Sequence, residues 1–124
     1  MSNIKVLLIE DDKDQIMIYQ NKLELEEMKL ISAEDKEEGL KLAEEEPPSL
    51  ILLDLLLGNE DGLDILKELK SNPKTKEIPV IIFTNFDTEE ARENCKNLGA
   101  EDYLLKARVT PDEVAEKIKQ VAGQ

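Results

Sequence analysis

The stretch of sequence that most restricts the fold is residues 49–62, SLILLDLLLGNEDG in one-letter code from Ser49. Its run Leu50–Leu53 has the length of a strand and no polar residue, which is typical of a strand buried on both faces of a parallel sheet. Asp54 follows directly. Most aspartates at such positions face water as loop or cap residues, so the neighbours of Asp54 must decide whether it does more.

The rest of the chain alternates apolar runs with helical patterns. We predict strands at Lys5–Ile9, Lys29–Ala33, Leu50–Leu53, Ile78–Phe83 and Asp102–Leu105. We predict helices from Asp14 to about Met28, from Lys36 to Glu46, from Asp61 to Asn72, from Asp87 or Thr88 to Gly99, and from Thr110 onward. This alternation predicts an α/β fold, a doubly wound, flavodoxin-like (βα)5 arrangement whose five-stranded parallel sheet has the strand order 2-1-3-4-5.

Length, charge and composition narrow the class of protein. With 124 residues, we expect one domain over residues 1–124 and no output domain. The net charge of -13, from 29 acidic against 16 basic residues, argues against binding to nucleic acid or to acidic membranes. The sequence has no histidine, which excludes Ser-His-Asp catalysis, and its single cysteine, Cys95, fits a buried apolar position. Without an apolar run of membrane length, we expect a cytoplasmic protein.

Chemically active residues follow four of the five predicted strands. They are Glu10, Asp11 and Asp12 after the first strand, Asp54 after the third, Thr84 after the fourth and Lys106 after the fifth. Ligands of open parallel sheets bind at the carboxyl ends of the strands, near the point where the strand order reverses. The predicted order places these residues around one pocket.

A pocket with several carboxylates is stabilised by a bound cation. Each close pair of carboxylates costs about 4 kcal/mol at an effective dielectric constant of about 20. Oxygen ligands of this kind suit Mg²⁺, which in turn favours phosphate chemistry. Asp54 as nucleophile, Lys106 as fixed cation and Thr84 as hydrogen-bond donor are the parts needed to form an acyl phosphate.

With these motifs, the sequence resembles the receiver domain of two-component response regulators, of the stand-alone type similar to the chemotaxis response regulator. The matching segments are KVLLIEDD, LILLDLLLGNEDG, PVIIFTN and GAEDYLLKA. The resemblance implies that Asp54 is the phosphoacceptor and that Thr84 and Lys106 assist the reaction. It also implies that Mg²⁺ is held by Glu10, Asp11, Asp54 and the Leu56 carbonyl, with Asp11 a direct ligand. Thr84 and Tyr103 would form the switch.

Three positions differ from the usual pattern of that family. Gly58 stands where a proline is usual, Asn85 stands where alanine or glycine is usual, and Ala107 replaces the proline that usually follows the lysine. The Asn85 side chain could narrow access to the acyl phosphate, or its amide could bind the phosphoryl group or a water molecule.

The resemblance implies a phosphorelay switch and not a turnover enzyme. A sensor histidine kinase, a histidine phosphotransfer protein or a small phosphodonor would phosphorylate Asp54, and the face formed by the fourth helix, fifth strand and fifth helix would signal to an effector protein. We expect a monomer, with dimerisation on phosphorylation left open.

Two other classes of function remain as alternatives. One is a receiver-like adaptor that binds partners without phosphorylation. The other is a haloacid-dehalogenase-type phosphatase, which is disfavoured because Leu56 stands where that class needs a second aspartate. A flavin carrier of this fold would need a Ser/Thr-rich loop after the first strand, where this chain has acids.

Overall fold

The computed structural model describes residues 3–123. Five strands form one sheet: β1 (Lys5–Ile9), β2 (Lys29–Ala33), β3 (Leu50–Leu53), β4 (Val80–Thr84) and β5 (Asp102–Leu105). Five helices connect and follow them: α1 (Lys13–Leu25), α2 (Lys36–Glu45), α3 (Gly62–Ser71), α4 (Glu89–Asn97) and α5 (Pro111–Ala122). All the strand pairs are parallel and the order is β2-β1-β3-β4-β5, so the predicted fold and strand order are confirmed.

Two short elements lie between the main ones, both near the carboxyl edge of the sheet. Leu56–Leu57 pairs antiparallel with Glu60–Asp61 in a small hairpin between β3 and α3. A single 3-10 turn, Lys106–Arg108, follows β5.

The sheet separates two apolar cores because alternate side chains of each strand point to opposite faces. Leu7 and Ile9 of β1 belong to the core beneath α2, α3 and α4. Their neighbours Val6 and Leu8 belong to the core beneath α1 and α5, where the rings of Tyr19 and Phe83 meet edge to face. The strands are apolar on both faces since helices cover both.

The predicted ends of two elements were wrong. Helix α1 stops at Leu25 and not near Met28, because Glu27 adopts a left-handed conformation with φ of 62° and the Met28 amide turns back to the Leu23 carbonyl at 2.8 Å. Strand β4 begins at Val80 and not at Ile78, because the Ile78 amide closes a turn onto the Thr75 carbonyl at 3.0 Å.

Cys95 lies on the buried face of α4, as its helical spacing predicted. Burial, with a smaller contribution from the charge of Asp61, raises the pKa of its thiol to about 11. The thiol is therefore protonated at neutral pH and packs as a small apolar group. Within residues 3–123, no helix combines the length and apolar composition needed to cross a bilayer.

Candidate functional site

Asp54 is fixed by the strand that precedes it. Its amide donates to the Ile9 carbonyl at 3.1 Å, which extends the pairing of β3 with β1 by one residue. Its side chain is almost fully buried, and Oδ1 accepts the Leu56 amide at 3.0 Å. Oδ2 accepts the Lys106 ammonium at 2.8 Å. Each carboxylate oxygen accepts one protein hydrogen bond and keeps further acceptor capacity.

Glu10 is held in the same way at the end of β1. Its amide donates to the Ala33 carbonyl of β2 at 2.9 Å, and its residue is only 1% exposed. Oε2 accepts the Asp12 amide at 3.2 Å, while Oε1 accepts the Lys106 ammonium. Burial raises the pKa of the Glu10 carboxyl above its ordinary value, the nearby charge of Asp54 adds to the rise, and the hydrogen bond from Lys106 opposes it.

Lys106 therefore bridges two buried carboxylates, Glu10 and Asp54. Burial acts to lower the pKa of its ammonium, but the hydrogen bonds and charges of the two carboxylates outweigh burial and raise the pKa above its ordinary value. Lys106 thus stays charged across the physiological range. The ammonium also lies 5.8 Å from the centre of the Phe83 ring, which forms the apolar floor of the site.

The donor set at this edge suits a hard divalent cation. Glu10, Asp11 and Asp54 provide three negative charges against one positive charge from Lys106, an excess of two when all four groups are ionised. Within residues 3–123, no group of three or more His, Cys, Asp or Glu side chains is preformed to hold a metal ion. Mg²⁺ needs only one or two carboxylates and keeps several waters. The exposed Asp11 and the free acceptor capacity of Asp54 fit that requirement.

Gly58 shapes the wall of the site beside Asp11. Its φ of 53° is left-handed, and a Cβ at this position would lie 3.7 Å from Asp11 Oδ2. A proline, with φ locked near about -65°, cannot adopt this conformation. The glycine thus forms the turn of the small hairpin that follows Asp54.

Thr84 is fully buried at the end of β4, and its hydroxyl oxygen accepts the Phe86 amide at 3.2 Å. Asn85 Oδ1 accepts a hydrogen bond from the Ala107 amide at 3.0 Å, which links the segments that follow β4 and β5. The peptide bond between Lys106 and Ala107 is trans.

Tyr103 lies in β5 and contacts the segment that follows β4. Burial raises the pKa of its hydroxyl, which keeps its proton at neutral pH and donates it to the Phe86 carbonyl. The Arg92 guanidinium lies over the ring at 4.8 Å from its centre, and Arg92 also pairs with Asp87 at 3.1 Å. These contacts hold Tyr103 against the segment that begins at Thr84.

The structure thus brings Glu10, Asp54 and Lys106 into direct contact, with the Leu56 amide on Asp54. It places Asp11 at the Gly58 turn, and Thr84 and Tyr103 on either side of Phe86.

Gly62 is a residue that sequence reasoning missed. A Cβ at Gly62 would lie 2.5 Å from the Asp54 carbonyl oxygen and 2.5 Å from the Leu55 Cα, so α3 starts directly against the backbone of the site. Its amide also donates to the Leu55 carbonyl at 3.0 Å. A glycine at the first position of a predicted helix was the available signal.

Comparison with known proteins assigns this arrangement to a family. The family model of the response regulator receiver domain matches residues 6–119. The chain belongs to this family. Receiver domains are the phosphoaccepting modules of two-component signal transduction, and members typically accept phosphate without acting as turnover enzymes.

The receiver domain is similar to curated proteins that are longer than this chain. The alkaline phosphatase synthesis transcriptional regulatory protein PhoP of Bacillus subtilis (strain 168) is 34% identical over 119 residues, which cover 96% of this chain and 48% of PhoP. The chain spans about half the length of the first curated relatives it matches.

Solved structures share the fold of the receiver domain. A CheY-like receiver domain protein from Methanospirillum hungatei JF-1 has a TM-score of 0.88 at 28% identity, covering 96% of this chain and 93% of that one. The Mn²⁺-bound form of the response regulator Rcp1 has a TM-score of 0.78 at 31% identity, covering 97% of this chain and 90% of Rcp1.

The contact at Gly62 yields a prediction. Gly62→Ala should lower the free energy of unfolding by about 1–3 kcal/mol, because the methyl group must displace the backbone of Asp54 and Leu55. Urea unfolding measures this change. Gly39→Ala in α2 is the matched control, since its nearest neighbour would be the movable end of the Ile9 side chain. A loss at Gly62 no larger than that at Gly39 would contradict the close packing.

Proposed function

We propose that the protein is a phosphorylation switch in which Asp54 accepts a phosphoryl group from a phosphohistidine or a small phosphodonor. The observation that carries this proposal is the buried bridge of Lys106 to Asp54, at 2.8 Å, and to Glu10. Both oxygens of the Asp54 carboxylate retain acceptor capacity beyond the hydrogen bonds that the protein supplies. The family membership of the chain supports the same reaction.

In the proposed reaction, an oxygen of the Asp54 carboxylate attacks phosphorus and forms an acyl phosphate. The bond from phosphorus to the donor nitrogen or oxygen breaks, and the leaving group takes the electron pair. Lys106 stays charged and lies where it can donate to a phosphoryl oxygen as well as to Glu10. Thr84, at the end of the adjacent strand β4, would donate its hydroxyl proton to another phosphoryl oxygen.

Mg²⁺ is the proposed cofactor, and when bound it neutralises charge on the phosphoryl oxygens. Glu10, Asp11, Asp54 and the Leu56 carbonyl are the proposed metal-binding groups, with Asp11 a direct ligand. Glu10 would orient the site from its position beside Asp12 and Lys106. The similarity to Rcp1, which was crystallised with Mn²⁺, supports a divalent cation here.

The proposed switch couples Asp54 to the surface through Thr84. In the present structure the Thr84 hydroxyl oxygen accepts the Phe86 amide, and the Phe86 carbonyl accepts Tyr103. If Thr84 turns toward a phosphoryl group, the Phe86 segment loses one of these supports and Tyr103 can move. The face of α4, β5 and α5 would then change for a partner.

The proposed partners are a histidine kinase or phosphotransfer protein upstream and an effector protein downstream. Receiver domains as a family interact with histidine kinases. A binding module without phosphorylation was also considered on the basis of the size of Asn85. That side chain is bonded to Ala107, so it gives no support to the second function.

The phosphoacceptor is testable by intact mass spectrometry after incubation with a small phosphodonor and Mg²⁺. The wild-type chain should gain the mass of one phosphoryl group, whereas Asp54→Asn should gain none because its amide is a poor nucleophile. Lys106→Met should form adduct roughly 10²-fold more slowly, because the fixed cation is lost.

Asp64→Asn is the matched control for this experiment, since Asp64 is an exposed acid in the first turn of α3 whose charge acts on Lys36. It should react like the wild type. Absence of any adduct on the wild type, with a reactive receiver domain run in parallel, would refute the switch and leave an adaptor as the surviving function.

Mg²⁺ should stabilise the fold because it offsets the excess negative charge at the carboxyl edge of the sheet. At a Mg²⁺ concentration of about 100 times its Kd, the expected gain is about 2.7 kcal/mol in the free energy of unfolding. Thermal unfolding in MgCl₂ and in NaCl of equal ionic strength separates binding from screening. Asp11→Asn should lose most of the gain that is specific to Mg²⁺. Equal melting shifts in the two salts would count against the metal site.

A further inference from the structure

Asn85 and Ala107 join two segments that both follow strands of the site. Strands β4 and β5 are paired with Thr84 opposite Leu105, so Asn85 and Lys106 each stand one residue past the last paired position. Asn85 Oδ1 accepts the Ala107 amide at 3.0 Å across this gap. The bond is therefore made directly beside the lysine that bridges Glu10 and Asp54.

The segment that carries Lys106 is packed at its two ends, where Leu105 is buried and Val109 contacts the core, but its middle is exposed. Residues 106–108 form a single 3-10 turn, and the first amides of such a turn lack partners within it. The residue before the turn is Leu105, whose side chain has no polar atom with which to cap it. Ala107 and Arg108 are exposed, so burial does not fix them either. Asn85 caps the turn from a neighbouring strand.

Asn85 is itself well placed to act as an anchor. The residue before it is buried Thr84, and the residue after it, Phe86, is bound on both sides: its amide donates to Thr84 Oγ1 and its carbonyl accepts Tyr103. Asn85 thus projects from a segment whose two neighbours are fixed, and the acceptor that it offers to Ala107 has a defined position.

We propose that Asn85 is a positioning residue for Lys106, which it holds at the carboxylates by capping the Lys106–Arg108 turn. This inference rests on the proposed function, in which Lys106 meets the phosphoryl group on Asp54. When the cap is lost, the Ala107 amide can donate its hydrogen bond to water instead, because this part of the turn is exposed. The fold then loses little stability, while the ammonium spends less time in its reactive position.

The test compares Asn85→Ala with Asn85→Asp, which keeps an acceptor oxygen at the same place, and with Asn21→Ala, an exposed asparagine on α1. Hydrogen exchange of the Ala107 amide, followed by NMR, reports the cap without any phosphorylation. Asn85→Ala should lose the protection of this amide, and Asn85→Asp and Asn21→Ala should retain it. The melting temperatures of Asn85→Ala and the wild type should agree closely.

The kinetic arm measures adduct formation on Asp54 at several concentrations of a small phosphodonor with saturating Mg²⁺. Asn85→Ala should lower the rate constant at saturating donor about three- to tenfold, the range that corresponds to one hydrogen bond. The half-saturating donor concentration should stay unchanged, because Lys106 is engaged by the carboxylates and acts at the transferring group.

The results distinguish failure of the positioning role from failure of the proposed function. Unchanged exchange at Ala107, or lost protection with an unchanged or faster reaction, would overturn the positioning role while the phosphoacceptor stands. A wild-type chain that forms no adduct would refute the proposed function and the positioning role together.

Discussion

The ammonium of Lys106 lies between two buried carboxylates, and the carboxyl edge of the sheet depends on it. Glu10 and Asp54 are 1% and 4% exposed, so two negative charges would repel each other there in an environment that screens them poorly. One cation that donates to both makes this arrangement tolerable. The bridge also leaves an excess of negative charge once Asp11 is counted. We infer that the site is built to receive a cation and a phosphoryl group.

The strand order explains how residues far apart in sequence reach this bridge. β1 and β3 are neighbours, and their register carries the pairing one residue past β3 to the Asp54 amide. β4 separates β3 from β5, and the long side chain of Lys106 crosses that interval above Phe83. Gly62 allows α3 to start against the Asp54 backbone. The half-buried Tyr103 connects to the same edge through Phe86 and Thr84.

The sequence was sufficient to predict the strands and helices, because apolar runs of strand length alternate with helical patterns. The start of the last helix is marked by the capping residues Thr110 and Glu113. It also predicted which strand ends carry reactive groups. It could not predict that Lys106 would be shared by Glu10 and Asp54, since a pattern contains no distances. The role of Asn85 was left open because its partner, the Ala107 amide, lies 22 residues away and belongs to the backbone. The early end of α1 depended on one left-handed residue, Glu27, which is not a glycine.

The central claim is that Lys106 compensates two buried carboxylates, and a double-mutant cycle in urea unfolding tests it most directly. Lys106→Met should lower the free energy of unfolding at neutral pH by about 3–5 kcal/mol, because two buried charges lose their partner. Adding Glu10→Gln should recover part of that loss, which gives a coupling free energy well above experimental error. Lys70→Met is the matched control, since within residues 3–123 the Lys70 ammonium donates to the Lys76 and Ile78 carbonyls and to no carboxylate. The account predicts a far larger loss at Lys106 than at Lys70; equal losses, with no coupling to Glu10, would contradict it.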